Sequence, residues 1–285
     1  MKIYFSTMLW FFYQITHYKQ SRVMLHTLPQ KIQQIISTYL DRASRLNMLC
    51  VNRHMFELWI IVVYQNPTFI FTRMSDYNPA CLQYIRHVLY DLTEPININA
   101  IPNTIQSLTF DWEYNQAIDP GVLPSGLQSL TFGFHFDQNI VHNALPPGLQ
   151  TLTFGWQYNR AIDSGVLPAG LRSLTFGTQF YQKIEPGVLP FGLQSLKFGF
   201  YYDQKIESGA LPLGLLSLTF GNQFNQKIEP GVLPLGLLSL TFGEVYNHKI
   251  EADVLPSGLQ SITFNIKYPY IDELKSWFWG TVCFA

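Results

Sequence analysis

The chain has 285 residues, an apolar fraction of 47% and a formal net charge of −1 at pH 7. Because positive and negative charges nearly cancel, neither nucleic acid nor an anionic membrane is expected as the principal partner. The three cysteines, Cys50, Cys81 and Cys283, form neither an even disulfide framework nor a metal-binding spacing. This cysteine pattern favours a reducing, cytoplasmic compartment, and no metal or cofactor is expected.

Residues 1–24 contain Lys2 followed by a short run rich in Phe, Trp and Leu. This composition has some character of a targeting signal. However, the run includes Ser6 and Thr7, no small-x-small cleavage site follows before Arg22, and the run is too short to span a bilayer. We therefore expect an N-terminal extension, with a targeting segment as the alternative.

Residues 25–60 have a helical pattern. Pro29 stands where the first turn of a helix has no amide hydrogen bond to lose. Apolar residues then recur at i, i+3, i+4, i+7 and i+8, which places them on one helix face. They are Ile32, Ile35, Ile36, Tyr39 and Leu40. A second short helix would contain Leu46 and Leu49, and a third would begin near Asn52, a good N-cap residue.

This stretch resembles an F-box. The matching residues are Leu28, Pro29, Ile32, Ile35, Ile36, Tyr39, Leu40, Leu46, Leu49, Val51, Arg53 and Phe56. The resemblance implies docking onto the Skp-type adaptor of a cullin-RING ubiquitin ligase. The implied adaptor contacts are Leu28, Pro29, Ile32, Ile36, Leu40 and Leu49. Gln30 and Lys31 stand where the family usually has an acidic residue, and a three-helix cap without a partner is the alternative.

Residues 61–95 are expected to form a connecting segment and a capping helix. Two β-branched and aromatic runs, at 60–64 and 68–71, are typical of strands or extended segments. Pro79 is expected to open a helix with one apolar face that covers the first coil of the array that follows. The residues of that face are Leu82, Ile85, Leu89 and Leu92.

Residues 96–265 repeat every 22 positions, about eight times. One unit has the sequence Leu-Pro-x-Gly-Leu-x-Ser-Leu-Thr-Phe-Gly, followed by two variable residues, aromatic-Asn-Gln-x-Ile and a Gly-Val tail. The fixed period predicts a solenoid in which each coil buries its apolar face against its neighbours. Residues 266–285 would then be a C-terminal cap or tail.

Each unit is expected to contain one turn, one strand and an extended return path. Pro second and Gly fourth in the Leu-Pro-x-Gly segment favour a type I turn. Alternation around Ser129 places Leu130 and Phe132 inward on a strand. Gly133 and its equivalents would be required by a positive φ or by a close backbone approach. Pro-Gly pairs such as Pro120 and Gly121 exclude a helix from the return path.

The repeated signature resembles the FNIP repeat, a relative of leucine-rich repeats. The resemblance implies a mainly β repeat solenoid with parallel 22-residue coils, preceded by an N-terminal α-helical F-box-like domain. This combination is known from social amoebae and from giant viruses that infect amoebae. It implies the substrate-recognition adaptor of an SCF-type ubiquitin ligase, acting in the cytoplasm, or in the host cytoplasm if viral. The alternative is a non-enzymatic repeat scaffold without a ubiquitin-ligase link.

Two polar registers are interpreted as structural. Asparagine recurs at 115, 159, 225 and 247, with Asp137 and Asp203 at two other positions, and predicts a hydrogen-bonded ladder between coils. A row of carboxylates would lie about 5 Å apart, a spacing that retaining glycosidases use. Its members are Asp119, Asp163, Glu185, Glu207, Glu229 and Glu251. Lysines two residues before the four glutamates favour surface ion pairs instead, so no catalytic residue is expected.

The outward strand residues form an uncharged hydroxyl-rich face, which suits an unidentified target protein recognised by shape. The residues around this face vary from coil to coil and supply the predicted target-binding side chains. They are Phe134, Trp156, Arg172, Phe200 and Tyr201. The alternative for the aromatic residues is burial between coils.

Overall fold

The computed structural model describes residues 68–70, 86–97 and 101–284. The chain divides into two units between Gln65 and Asn66, and every described residue belongs to the second. The extension predicted at 1–24 and the F-box-like motif predicted at 25–60 therefore lie outside the described residues.

The described residues form one sheet of eleven strands that follow each other in chain order, and every neighbouring pair is parallel. The strands are β1 Thr68–Ile70, β2 His87–Tyr90, β3 Ser107–Phe110, β4 Ser129–Thr131, β5 Thr151–Thr153, β6 Ser173–Thr175, β7 Ser195–Lys197, β8 Ser217–Thr219, β9 Ser239–Thr241, β10 Ser261–Phe264 and β11 Thr281–Phe284. Helix α1, Ile271–Trp277, lies between β10 and β11. The predicted parallel solenoid is confirmed.

The sequence period sets the register of the sheet. Leu130 pairs with Leu152, and Leu152 pairs with Leu174, so equivalent residues of successive units lie side by side. None of the described residues between β3 and β10 is helical, as the Pro-Gly pairs predicted. Each coil is therefore one short strand, turns and an extended return path.

The predicted capping helix is wrong where the structure describes it, because His87–Tyr90 is strand β2. Val88 and Tyr90 are buried and pair with Leu108 and Phe110 of β3. Three- and four-residue spacing of leucines suggested a helix, but pairing with the edge of β3 satisfies the backbone groups of both strands. Residues 78–85 lie outside the described part of the chain. The strand predicted near residue 68 is confirmed as β1.

Aromatic rings fill the interior of the coils in two stacked columns. The first column is Phe110, Phe132, Phe154, Phe176, Phe198, Phe220, Phe242 and Phe264, and the second is Tyr114, Phe136, Tyr158, Phe180, Tyr202, Phe224, Tyr246 and Tyr268. Ring centroids in the first column are 5.1–5.8 Å apart between coils. Each ring buries about 150–250 Å², or about 4–6 kcal/mol of gross hydrophobic stabilisation. A coil obtains this burial only from its neighbours.

Glycines after the strands allow the coils to approach closely. A Cβ on Gly155 would overlap the carbonyl of Gly133, and a Cβ on Gly177 would overlap that of Gly155. Neither residue has a positive φ, so close approach is the reason for this glycine row. The predicted turn is displaced by one residue: the N–H of Leu127 donates to the carbonyl of Pro124, which makes proline the first residue of the turn.

The predicted ladder between coils is confirmed. The backbone N–H of Asp137 donates to Asn115 Oδ1 at 2.9 Å, and that of Asn159 donates to Asp137 Oδ1 at 2.9 Å. The same bond joins Tyr181 to Asn159, Asn225 to Asp203, and Asn247 to Asn225. Tyr181 interrupts the row because it has no amide or carboxylate oxygen at this position. The ladder residues are exposed or half-buried, so the ladder lies at a corner of the coil rather than in its interior.

Candidate protein-binding face

The outward side of strands β3–β10 is a flat, hydroxyl-rich surface, which we call the sheet face. Each strand contributes a Ser or Thr at its first position, and every strand except β7 has a Thr two residues later. Equivalent side chains lie about 4.8 Å apart because the strands are parallel and in register. The residue before each strand completes the face. From β3 to β10 these residues are Gln106, Gln128, Gln150, Arg172, Gln194, Leu216, Leu238 and Gln260.

A groove of about 540 Å³ borders the sheet face where the strands end. Its floor is the row of close-packed glycines Gly177, Gly199, Gly221 and Gly243. Since these residues have no side chains, the floor is lower than the loop residues beside it. Trp156, which is 46% exposed, also lines this groove and offers it an apolar ring.

Trp156 belongs to a stack of three aromatic residues on consecutive coils. The ring of Phe134 lies 4.4 Å from that of Trp112 and 5.5 Å from that of Trp156. Trp112 is 56% exposed and Trp156 46% exposed, whereas Phe134 between them is half-buried. The sequence prediction therefore overestimated the exposure of Phe134 and did not include Trp112 among the exposed aromatic residues. Trp112 shares the register of the other two rings, but Asp111 stands before it in place of the usual glycine.

The other predicted target-binding residues lie apart from this stack. Phe200 and Tyr201 are 38% and 45% exposed and their rings form an edge contact at 4.9 Å. Thr178 occupies the intervening coil, so the predicted aromatic cluster consists of two groups. Phe200 lines the groove together with Trp156. Arg172 is exposed on the sheet face directly before β6.

A second apolar surface precedes the strands and was not predicted. Phe191, Leu213 and Leu235 are 76%, 67% and 78% exposed on three consecutive coils. They occupy the variable position of the Leu-Pro-x-Gly turn. Other coils have Ser125, Pro147, Ala169 and Ser257 there. The departure from small residues at one register was the sequence signal for this surface.

Three of the four glutamates in the carboxylate row form the predicted surface ion pairs, and among the described residues Glu207 forms none with Lys205. Lys183 and Glu185 are 3.1 Å apart, and the equivalent pairs at 227/229 and 249/251 are each 3.3 Å apart. Lys249 also contacts Glu273 of α1 at 2.7 Å. Hydrogen bonds to Glu273 and then to Glu251 raise the pKa of Lys249. Exposed pairs of this kind contribute under about 1 kcal/mol each.

The described residues provide neither a ligand cluster for a metal centre nor a helix for a membrane span. Among them, no group of three or more His, Cys, Asp or Glu side chains is placed to hold a metal ion. Within the same residues, no helix has the length and apolar character of a membrane span. The six predicted adaptor contacts lie outside the described part of the chain. They are Leu28, Pro29, Ile32, Ile36, Leu40 and Leu49.

Comparisons with known proteins agree with this repeat architecture. The FNIP Repeat family model matches residues 93–135, 136–179, 180–223 and 224–267, which is more than half of the chain. Among solved structures, the chain is similar to the giant-virus protein CroV588, described as a novel circular LRR protein, with 42% sequence identity and a TM-score of 0.63. That match covers 64% of this chain and 27% of CroV588. A comparison with curated proteins finds no match.

Proposed function

We propose that this chain, which belongs to the FNIP repeat family, uses its solenoid to bind a partner protein and residues 25–60 to link that partner to a ubiquitin ligase. The observation that supports binding is the sheet face, a rigid and nearly uncharged surface bordered by the exposed rings of Trp156 and Phe200. Exposed aromatic rings on a rigid support are the side chains that most often dominate protein interfaces. Repeat solenoids are typical binding scaffolds and use such extended surfaces.

The link to a ligase rests on the sequence of residues 25–60. Leu28, Pro29, Ile32 and Ile36 match positions through which an F-box contacts a Skp-type adaptor. In this proposal the chain performs no chemistry of its own. It holds a target protein near a cullin-RING ligase in the cytoplasm, and the ligase transfers ubiquitin.

Co-purification of the full chain with a Skp-type adaptor tests the proposal. We expect Ile32→Asp with Ile36→Asp to abolish adaptor binding, because each substitution places a charge on the apolar face that the sequence predicts for adaptor contact. The circular dichroism spectrum of the solenoid strands should be unchanged. As the matched control, Trp156→Ser with Phe200→Ser should retain the adaptor and lose the target.

Two results would overturn the ligase link. The first is wild-type protein that is folded and does not bind the adaptor, which would leave a non-enzymatic repeat scaffold as the function. The second is adaptor binding by the Ile32→Asp/Ile36→Asp variant at the wild-type level.

A further inference from the structure

Two positive charges stand alone on the sheet face. Over β3–β10, each coil contributes three outward residues to the sheet face, in three rows: the residue before the strand, the first strand residue and the third strand residue. Only two of all these residues are charged, namely Arg172, directly before β6, and Lys197, the last residue of β7. All other members of these rows are Gln, Leu, Ser or Thr. The face is therefore locally positive, although the whole chain has a net charge of −1.

Neither positive charge is neutralised within the described residues. The side chains of Arg172 and Lys197 are exposed and form no ion pair or hydrogen bond with any residue that the structure describes. Several cations on the return paths do have carboxylate partners: Arg160 lies 2.8 Å from Asp137, and Lys183 pairs with Glu185. Lys205, also exposed on a return path, forms no ion pair with the described residues. A carboxylate that pairs with Arg172 or Lys197 would therefore have to belong to another molecule or to residues outside the described part of the chain.

The register of the sheet sets the approximate distance between the Cα atoms of the two charged residues. Lys197 pairs with Thr175, which lies three residues after Arg172 in the neighbouring strand. A strand rises about 3.3 Å per residue and neighbouring strands are about 4.8 Å apart, so the two Cα atoms are about 11 Å apart. An extended peptide spans this distance with three to four residues.

Apolar groups lie close to both charges. Lys197 lines the groove together with Trp156 and Phe200. The lining also includes one carboxylate, Glu244, which lies two coils away from Lys197 and accepts a hydrogen bond from Asn222. Leu216 and Leu238, which are 39% and 37% exposed, stand in the same row as Arg172, two and three coils away. Carboxylates opposite the cations and an apolar side chain in the groove would complement this surface in both charge and hydrophobicity.

We propose that the sheet face at β6 and β7 binds an acidic peptide segment of the partner protein, in which two Asp or Glu residues are three to four positions apart and an apolar residue lies beyond the one that pairs with Lys197. One carboxylate pairs with Arg172 and the other with Lys197, and the apolar side chain enters the groove beside Trp156. This inference rests on the proposed protein-binding function and specifies the chemistry of the partner.

The repeat itself supplies conservative test substitutions. Arg172→Gln and Lys197→Thr remove both charges and introduce residues that the chain already uses at equivalent positions. Those positions include Gln150 and Gln194 for the first, and Thr175 and Thr219 for the second. The fold should therefore be unaffected. Lys205→Gln is the matched control, since Lys205 is an exposed lysine on a return path, away from the sheet face.

The experiment selects peptides from an unbiased random-sequence phage library on the immobilised full chain. We expect the selected peptides to be rich in Asp and Glu, with an apolar residue on one side of the acidic pair. Their Kd, measured by fluorescence anisotropy, should rise about tenfold for Arg172→Gln/Lys197→Thr and change less than about twofold for Lys205→Gln. Raising the salt concentration should weaken binding to the wild type.

Each alternative outcome has a distinct meaning. Selected peptides that lack an acidic excess, or that bind the double variant as well as the wild type, would overturn the acidic specificity and leave protein binding intact. A failure to select any peptide would count against both proposals. An oligonucleotide or a phosphatidylserine vesicle that binds the wild type and not the double variant would also overturn the inference, because it would show that the charges recognise another class of anion.

Discussion

Alanine in place of Gly177 tests how closely the coils stack. A Cβ at this position would overlap the carbonyl oxygen of Gly155 and lie 2.5 Å from its carbonyl carbon and 3.2 Å from the amide nitrogen of Trp156. All three atoms belong to the backbone, so no side chain can rotate to relieve the overlap. Strands β5 and β6 would have to separate at this point.

The cost follows from what this separation breaks. Three residue pairs join β5 and β6, and each hydrogen bond contributes about 0.5–1.5 kcal/mol. Loss of two or three bonds, with looser packing of Phe154 on Phe176, should lower the free energy of unfolding by about 3–5 kcal/mol. Gly187→Ala should lower the free energy of unfolding by only about 1–2 kcal/mol, because the φ of Gly187 is +84° and alanine is strained there. No overlap adds to this strain, since the nearest non-neighbouring atom, Ser164 Oγ, is 3.8 Å from the added Cβ.

Gly148→Ala is the matched control. Its added Cβ would meet Ser125 O at an ordinary 3.6 Å and its φ is not positive, so stability should be unchanged or rise by about 0.4–1 kcal/mol. Urea denaturation followed by circular dichroism ranks the three variants, and hydrogen exchange of peptides spanning β5 and β6 localises the effect. Equal stability of Gly177→Ala and Gly148→Ala would refute the close stacking of the coils.

Two further predictions concern the interior and the ladder. Tyr181→Asn should raise the free energy of unfolding by about 1 kcal/mol, since the new amide oxygen would accept a hydrogen bond from the backbone N–H of Asp203 and close the gap in the ladder. The midpoint of urea denaturation measures this effect, and a midpoint below that of the wild type would contradict the prediction. Burial raises the pKa of Tyr158 and Tyr202 above the ordinary value of about 10. As the pH rises, the two hydroxyl groups therefore lose their protons in the unfolded chain before they do so in the folded chain. The free energy of unfolding should fall above about pH 10, and each tyrosine should contribute up to about 1.4 kcal/mol per pH unit. Urea denaturation at pH 8 to 11 should show that the free energy of unfolding falls less steeply with pH in Tyr158→Phe/Tyr202→Phe than in the wild type. The same slope in both proteins would refute the role of these two buried hydroxyl groups.

The repeated part of the fold could be predicted because each unit contains the same local signals. Strand alternation around Leu130, the glycine after the strand and the Pro-Gly pairs in the return path all indicate one conformation, and they recur at a constant spacing. Strands β2 and β11 were missed for the opposite reason, and His87 of β2 pairs with Ser107 at a spacing of 20 residues. Ser261 pairs with Thr281 at a spacing of 20 residues rather than 22, so β11 is out of phase with the repeat.

The candidate site was only partly predictable. Register identified Trp156 and Phe200 as variable loop residues, and the structure places both on the wall of one groove. Exposure depends on neighbouring coils as well as on register: Phe134 is half-buried because Trp112 and Trp156 stack on its two faces. The repeat register already places Arg172 and Lys197 among uncharged outward residues, and the pairing of β6 with β7 adds that the two residues are on neighbouring strands.

Site-specific photo-crosslinking in cells tests the central claim, that the sheet face is the binding surface. A photoreactive residue at Gln194, exposed on the sheet face beside Arg172, is compared with one at Ser208, exposed on a return path. We expect a protein adduct from position 194 that is absent from position 208 and is lost in the Arg172→Gln/Lys197→Thr background. Adducts formed equally from both positions, or only from position 208, would contradict the claim.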